Sequence, residues 1–168
     1  DSAGTHRALQ VTTAGTTTFA GAVGHTSALS SIDVSDPEGT LLLNGGSFRT
    51  TGAQTYRSGQ IVLGGDTTLQ STGAGAITFG GNIDAAICTV ASLSVLTQGA
   101  TTFGGAVGTY RPLWSVYTDG AASTPGNTVA FDQGTVVTLG DQTYGELAVL
   151  GTHTTLKSLG QGRITFEG

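Results

Sequence analysis

The stretch TTFAGAVG, residues 17–24, returns as TTFGGAVG, residues 101–108, with one exchange, Ala20 for Gly104. Its flanks repeat as well. Ala8-Leu9-Gln10-Val11 corresponds to Ser92-Leu93-Ser94-Val95, and Leu29 to Leu113, all 84 positions apart. Further on, AQTY at 53–56 meets DQTY at 141–144 at an offset of 88, and TTLQSTGAGAITFGG from Thr67 meets TTLKSLGQGRITFEG from Thr154 at 87. The drift in offset places an insertion near 121–126 and a one-residue deletion after Tyr144. Self-similarity over most of a chain marks a repeat architecture, whose unit cannot bury its apolar face alone. The expected organisation is a single domain over residues 1–168 built from two units, about 8–91 and 92–168.

A shorter period lies inside the long one. TF-x-G occurs at Phe19, Phe79, Phe103 and Phe166, and cutting at the glycine turns leaves segments close to 20 residues, the size of one solenoid turn. Within a segment the apolar pattern has period two, the mark of a strand. Thr17, Phe19, Gly21 and Val23 fall on one side, and Thr16, Thr18, Ala20 and Ala22 on the other. The same phase turns Ile77, Phe79, Ile164 and Phe166 inward. These patterns predict an all-β parallel β-helix, or β-solenoid, of about eight coils of roughly 20 residues, stacked ~4.8 Å apart into a rod of roughly 35–40 Å. Phe19, Val23, Phe79, Phe103, Val107 and Phe166 are its expected core ladder. The pairs Gly45-Gly46, Gly64-Gly65, Gly80-Gly81 and Gly104-Gly105 are expected at corners, where glycine tolerates a left-handed backbone.

Composition narrows the function classes. Charged residues are 10% of the chain, against roughly 25% in ordinary soluble domains, and glycine is 28 of 168. A net charge of −5 and six scattered Lys and Arg offer no basic stripe for nucleic acid. No apolar run approaches the ~20 residues of a spanning helix, so no membrane span is expected. Cys88 is the one cysteine, so an internal disulfide is excluded, and beside Ile87 it reads as a small buried hydrophobe. DSAGTHRALQ lacks the basic start and apolar run of a signal peptide, so a mature product or a piece of a longer protein is expected. RITFEG breaks off part way through a coil, and neither end shows a polar cap.

The order TTF-x-G-x-VG, LNGG, TTGAQTY, TTL-x-STG and ITF, over about residues 8–168, resembles the repeats of filamentous-haemagglutinin-like bacterial exoproteins and adhesins. The resemblance implies a right-handed β-helix, export to the extracellular space or bacterial cell surface, and an adhesive or matrix role in a fibre or biofilm. The second copy departs from that pattern where NGGSFRTTG becomes FDQGTVVTLG.

Chemistry finds little to work with. β-Helices can carry polysaccharide-degrading enzymes, which need paired carboxylates. DVSDPEG, with Asp33, Asp36 and Glu38, reads as a solvated turn around Pro37 and Gly39. Asp66, Asp84, Asp119, Asp132 and Asp141 are single and far apart. His6, His25 and His153 read as surface residues without zinc spacing. No catalytic residue, metal or cofactor is expected, and the chain reads as a structural protein rather than an enzyme. An ice-binding face would need T-x-T in every coil, but Thr16-x-Thr18 becomes Ala76-x-Thr78, Ala100-x-Thr102 and Arg163-x-Thr165.

The segment GTYRPLWSVYTDG, 108–120, stands apart. Against its counterpart GHTSALSSIDVSD, Trp114 replaces Ser30 and Tyr117 replaces Asp33 at slots that face outward, just after Tyr110 and Arg111. Exposed aromatics beside a cation suit a partner or a host or matrix glycan, although they could instead cover the inserted segment at 121–126. The other expected partners are neighbouring repeats or identical subunits stacked end to end on the open strand edges.

Overall fold

The computed structural model describes residues 5–119 and 127–168. Among them there is no helix, and the strands pair in parallel along a solenoid of about seven coils. The first coil carries β1 (Ala8–Thr12), β2 (Thr16–Phe19) and the bridge residue Val23. In the second, β3 (Ser31–Leu43) runs through two strand positions and β4 (Ser47–Thr50) takes the third. The third coil repeats that plan with β5 (Gln54–Leu63) and β6 (Thr67–Ser71). β7 (Ile77–Phe79), β8 (Asn82–Ala85) and β9 (Leu93–Leu96) form the fourth. β10 (Thr101–Phe103), the bridge residue Val107 and β11 (Val116–Asp119) form the fifth. β12 (Thr128–Phe131), β13 (Thr135–Thr138) and β14 (Gln142–Tyr144) make the sixth. The seventh has β15 (Leu147–Leu150), β16 (Thr155–Ser158) and β17 (Ile164–Phe166).

Three columns of stacked strands result. The first is β1, β3, β5, β7, β10, β12 and β15. The second joins β2, the later halves of β3 and β5, β8, Val107, β13 and β16. The third is Val23, β4, β6, β9, β11, β14 and β17. Leu9 pairs with Ile32, Ile32 with Gln54, Gln54 with Ile77 and Ile77 with Thr101, so four coils take 92 residues, about 23 each. Seven longer coils therefore replace the expected eight of about 20 residues, and at ~4.8 Å each they span about 30 Å along the axis.

This count has a consequence for the repeat. With three positions per coil, Leu9 stands in the first strand position and its counterpart Leu93 in the twelfth. One 84-residue unit is therefore eleven strands, a third of a turn short of four coils. The second copy is rotated by one column. Phe19 stacks on Leu43 in the second column, whereas Phe103 stacks between Phe79 and Phe131 in the first. Phe166 lies in the third column against Tyr144. The single ladder expected from the TF phrases is thus divided among three columns. Val23 meets Phe48, while Val107 sits between Ile83 and Val136. Unlike residues of the two copies are brought into one stack: the rings of Tyr56, Phe79, Phe103 and Phe131 follow one another at 5.9, 5.4 and 5.8 Å, within 19° of parallel. Such offset stacks add to the burial of the rings.

A second internal feature is polar and duplicated. The Gln54 amide donates to the carbonyl of Gln70 at 2.9 Å and to Thr50 Oγ1 at 3.1 Å, and its Oε1 accepts from the Tyr56 hydroxyl at 2.8 Å. In the second copy Gln142 donates to Lys157 O at 3.0 Å and Thr138 Oγ1 at 3.1 Å, and accepts from Tyr144 at 3.0 Å. Both glutamines are fully buried. Buried amides and hydroxyls are tolerated only when they are paired, and here the pairing ties the second coil to the third and the sixth to the seventh. Burial holds both tyrosine hydroxyls well above their ordinary pKa.

Four local expectations change. Most corner glycines are required by close approach along the rod rather than by a left-handed backbone: a Cβ on Gly81 would fall on Ser58 O, and one on Gly105 within 2.3 Å of Gly81. Gly24 and Gly108 need both, with φ of 73° and 69° and a Cβ that would lie 2.1 Å from the carbonyl oxygens of Arg49 and Val137. Gly21 does not point into the core; it is an exposed corner residue of the first coil. DVSDPEG is no solvated turn but part of β3, with a register irregularity between Asp36 and Thr40. Asp36 is buried and accepts from the Ser58 hydroxyl, and Asp33 pairs with Arg57 at 2.5 Å. Cys88 is exposed at a left-handed φ of 58°, because the chain leaves the solenoid wall after β8. The insertion expected near 121–126 lies outside the described residues.

Candidate functional site

The aromatic segment sits on the fifth coil. Asp84, almost fully buried, accepts the backbone amides of Tyr110 and Arg111 at 3.0 Å each and the Gln60 amide at 2.9 Å. Its carboxylate therefore pins the loop between Val107 and β11 to the coil beneath. Leu113 and Val116 anchor that segment in the core, as their inward phase predicts. Tyr110, Trp114 and Tyr117 face outward, 84%, 52% and 40% exposed, and Arg111 is exposed beside them. Trp114 is held by its backbone: its amide donates to Ala91 O at 2.8 Å and its carbonyl accepts from Gly140 at 2.7 Å. The indole borders a shallow groove of about 260 Å³ with Leu139, Asp141 and Gln161. Tyr117 pairs with Ser94 below and Thr143 above, and partial burial together with the carboxylates of Asp119, Glu167 and Glu146 raises its pKa. The structure places these residues along one coil but joins none of the three rings to another ring.

Among the described residues no group of three His, Cys, Asp or Glu side chains could share a metal ion. Asp66 and Asp141 each cap a neighbouring coil, accepting the amides of Ser92 and Arg163 at 2.8 Å. Glu146, which sequence reasoning missed, lies fully buried where the other copy has Ser58. It accepts from Thr118 and, at 3.3 Å, from Thr101. Burial raises its pKa above the ordinary 4.5, the nearby Asp119 adds to that, and the hydroxyl and backbone hydrogen bonds oppose it. A polar residue inside a strand turn following QTY in both copies was the available signal.

The first and last coils contrast with the coils between them. Leu9, Val11, Phe19, Val23 and Leu29 only partly bury themselves against the core. Their counterparts one unit later, Leu93, Val95, Phe103, Val107 and Leu113, are 0–1% exposed because the first copy lies beneath them. At the far end Leu150, Ile164 and Phe166, whose counterparts Leu63, Ile77 and Phe79 are fully buried, are 60%, 40% and 48% exposed. Of the expected ladder residues, Phe79, Phe103 and Val107 are fully interior, while Phe19, Val23 and Phe166 belong to the end coils.

No family model, curated protein or solved structure matches this chain.

Proposed function

We propose that the chain is a rigid structural and adhesive segment of an extracellular or cell-surface bacterial fibre, stacked end to end on neighbouring repeats or on identical subunits. The observation that carries this reading is the stack of about seven coils itself, in which parallel strands pair from coil to coil and each interior coil has its apolar side chains sealed by its neighbours. Parallel strand edges of a coil accept further strands, so the same stacking can continue from one repeat to the next. The resemblance of the repeats to filamentous-haemagglutinin-like exoproteins supports the bacterial surface and adhesion. Capping of buried and edge amides by Asp66, Asp84 and Asp141 supports a structural rather than catalytic use of the carboxylates. Sedimentation velocity over a concentration series tests the reading. Concentration-dependent growth of elongated species is expected, and a monomer that persists at high concentration, with no fibre by electron microscopy, would overturn it.

A second reading concerns ligands. The exposed indole beside a groove, with Tyr117 on the same coil, supports contact with a glycan or protein partner. A glycan array compared with the Trp114→Ala chain tests it: the reading expects a signal that disappears on substitution, and an unchanged signal removes it.

A further inference from the structure

One corner of the solenoid occurs in both copies, and the two versions present different side chains to solvent. In the second copy Trp114, Leu139, Gly140, Asp141, Gln161 and Gly162 line the shallow groove of about 260 Å³. Their counterparts in the first copy are Ser30, Thr51, Gly52, Ala53, Ala74 and Gly75. The backbone is the same in both. The amides of Ser30 and Trp114 donate to Arg7 O and Ala91 O at 2.9 and 2.8 Å, and those of Thr51 and Leu139 to Leu29 O and Leu113 O at 2.7 and 2.8 Å. The glycines serve the fold in both. A Cβ on Gly75 would lie 2.1 Å from the carbonyl carbon of Gly52, and one on Gly162 would lie 2.1 Å from that of Gly140. Only the side chains around the glycines change. Where one copy builds this corner from serine, threonine and alanine, the other places an indole, a leucine, a carboxylate and an amide.

We infer that this corner is a subsite for a neutral, hydroxyl-rich sugar, part of a glycan chain. The inference rests on the reading of Trp114 as a contact residue and names what it contacts. The indole lies against the glycine corner: a Cβ on Gly140 would be 3.6 Å from its Cε2 and 3.7 Å from its Nε1. The ring is thereby held in place yet stays half exposed. Among the described residues neither its N–H nor the Gln161 amide takes a hydrogen-bond partner. Asp141 uses Oδ1 to accept the Arg163 amide, which leaves its other oxygen for a ligand. An aromatic face stacks on the C–H face of a pyranose. A carboxylate oxygen accepts sugar hydroxyls in charge-assisted hydrogen bonds, and an amide both donates and accepts. Leu139 is the one aliphatic side chain of the lining, so the groove has no deep apolar pocket to anchor a peptide. Charge sets the class of sugar. Asp141 is the one charged residue of the lining, and Arg111 lies outside it. A uronate or sialate carboxylate would meet Asp141 without a cation between them, and like charges in contact repel. The groove runs over three successive coils, from Trp114 through Leu139 to Gln161. It is smaller than the ~300–1,000 Å³ sites that enclose a whole small ligand, which suits part of a chain lying along the rod.

Trp114 is the sole tryptophan, so its fluorescence reads the groove directly. The full chain is titrated with maltohexaose, cellohexaose, xylohexaose and mannohexaose, and with hexagalacturonate as the anionic counterpart. The inference expects at least one neutral sugar to shift the emission saturably, and hexagalacturonate to bind at least about tenfold more weakly. Asp141→Ala and Gln161→Ala install the residue types that the first copy already holds at this corner, so the backbone accommodates both. Asp141→Ala should weaken the neutral sugar at least about tenfold and narrow the gap to hexagalacturonate, and Gln161→Ala should weaken it about threefold to tenfold. Tighter binding of hexagalacturonate than of every neutral sugar overturns the inference and leaves Trp114 as a glycan contact. An emission shift that both variants leave unchanged also overturns it, because the sugar then binds without this lining. A protein partner lost with Trp114→Ala, while no sugar shifts the emission, overturns the inference and keeps the parent reading. An array signal unchanged by Trp114→Ala, again with no emission shift, removes both.

Discussion

Phe19 and Phe103 hold the same place in the two copies, and their surroundings could hardly differ more. Phe103 is 1% exposed between Phe79 and Phe131, while Phe19 meets Phe48 edge-on at 5.6 Å on the uncovered first coil. Phe79 and Phe166 show the same contrast at the other boundary, fully buried against 48% exposed. The same phrase is sealed or half open according to whether a coil lies on it. Rotation by one column adds a second difference: corresponding residues do not stack on each other, so each column mixes residues from different parts of the unit. Conservation of the phrase within the chain therefore reflects the shape of a strand and its corner, not one continuous ladder.

The contrast can be broken at graded cost. Phe103→Ala removes a ring sandwiched on both sides and should cost about 3–5 kcal/mol in denaturant unfolding. Gln54→Ala and Gln142→Ala should each cost about 2–4 kcal/mol, because each leaves a buried tyrosine hydroxyl and a carbonyl without a partner. The two losses should be alike, since the hydrogen bonds match in kind and length; a difference above about 1.5 kcal/mol would show that the copies hold this network differently. Phe166→Ala, at the half-exposed end, should cost only about 1 kcal/mol in the monomer.

Glu146 sharpens the comparison through pH. Its counterpart Ser58 is not ionisable, although it donates to the buried Asp36 carboxylate. A carboxyl whose folded pKa is raised binds its proton more tightly in the folded state. Its stability contribution is thus fully present below the unfolded value near 4.5 and is lost as pH rises through the folded value. Glu146→Gln should match the parent chain at pH 3.5 and exceed it in midpoint of denaturation at pH 7. A parent chain that gains stability relative to the variant over that interval would contradict this assignment.

Much of the architecture was legible in the residues. The alternation of Thr17, Phe19 and Val23, and the 84-residue echo, yield stacked parallel strands and the inward faces of Leu113 and Val116. The coil length was not legible, because cutting at glycine turns measures spacing between corners, while the backbone register alone fixes how many residues close a turn. A difference of about three residues per coil is enough to move Phe19 and Phe103 into different columns. Asp36 was misjudged because Pro37 and Gly39 look like a turn, yet a solenoid corner absorbs both within a continuous strand. The outward aspect of Trp114 and Tyr117 followed from phase, but the pinning of their loop by Asp84 needed the neighbouring coil, 26 and 27 residues from the amides it holds.

The central claim is that three strands close each coil and eleven make a unit, so that the second copy is turned by one column. Nuclear Overhauser contacts between aromatic rings test it most directly. The account predicts contacts from the Phe103 ring to the rings of both Phe79 and Phe131, and from Val107 to Ile83 and Val136. Contacts of Phe103 with Ile83 in place of Phe79, as coils of 20 residues would require, would contradict it.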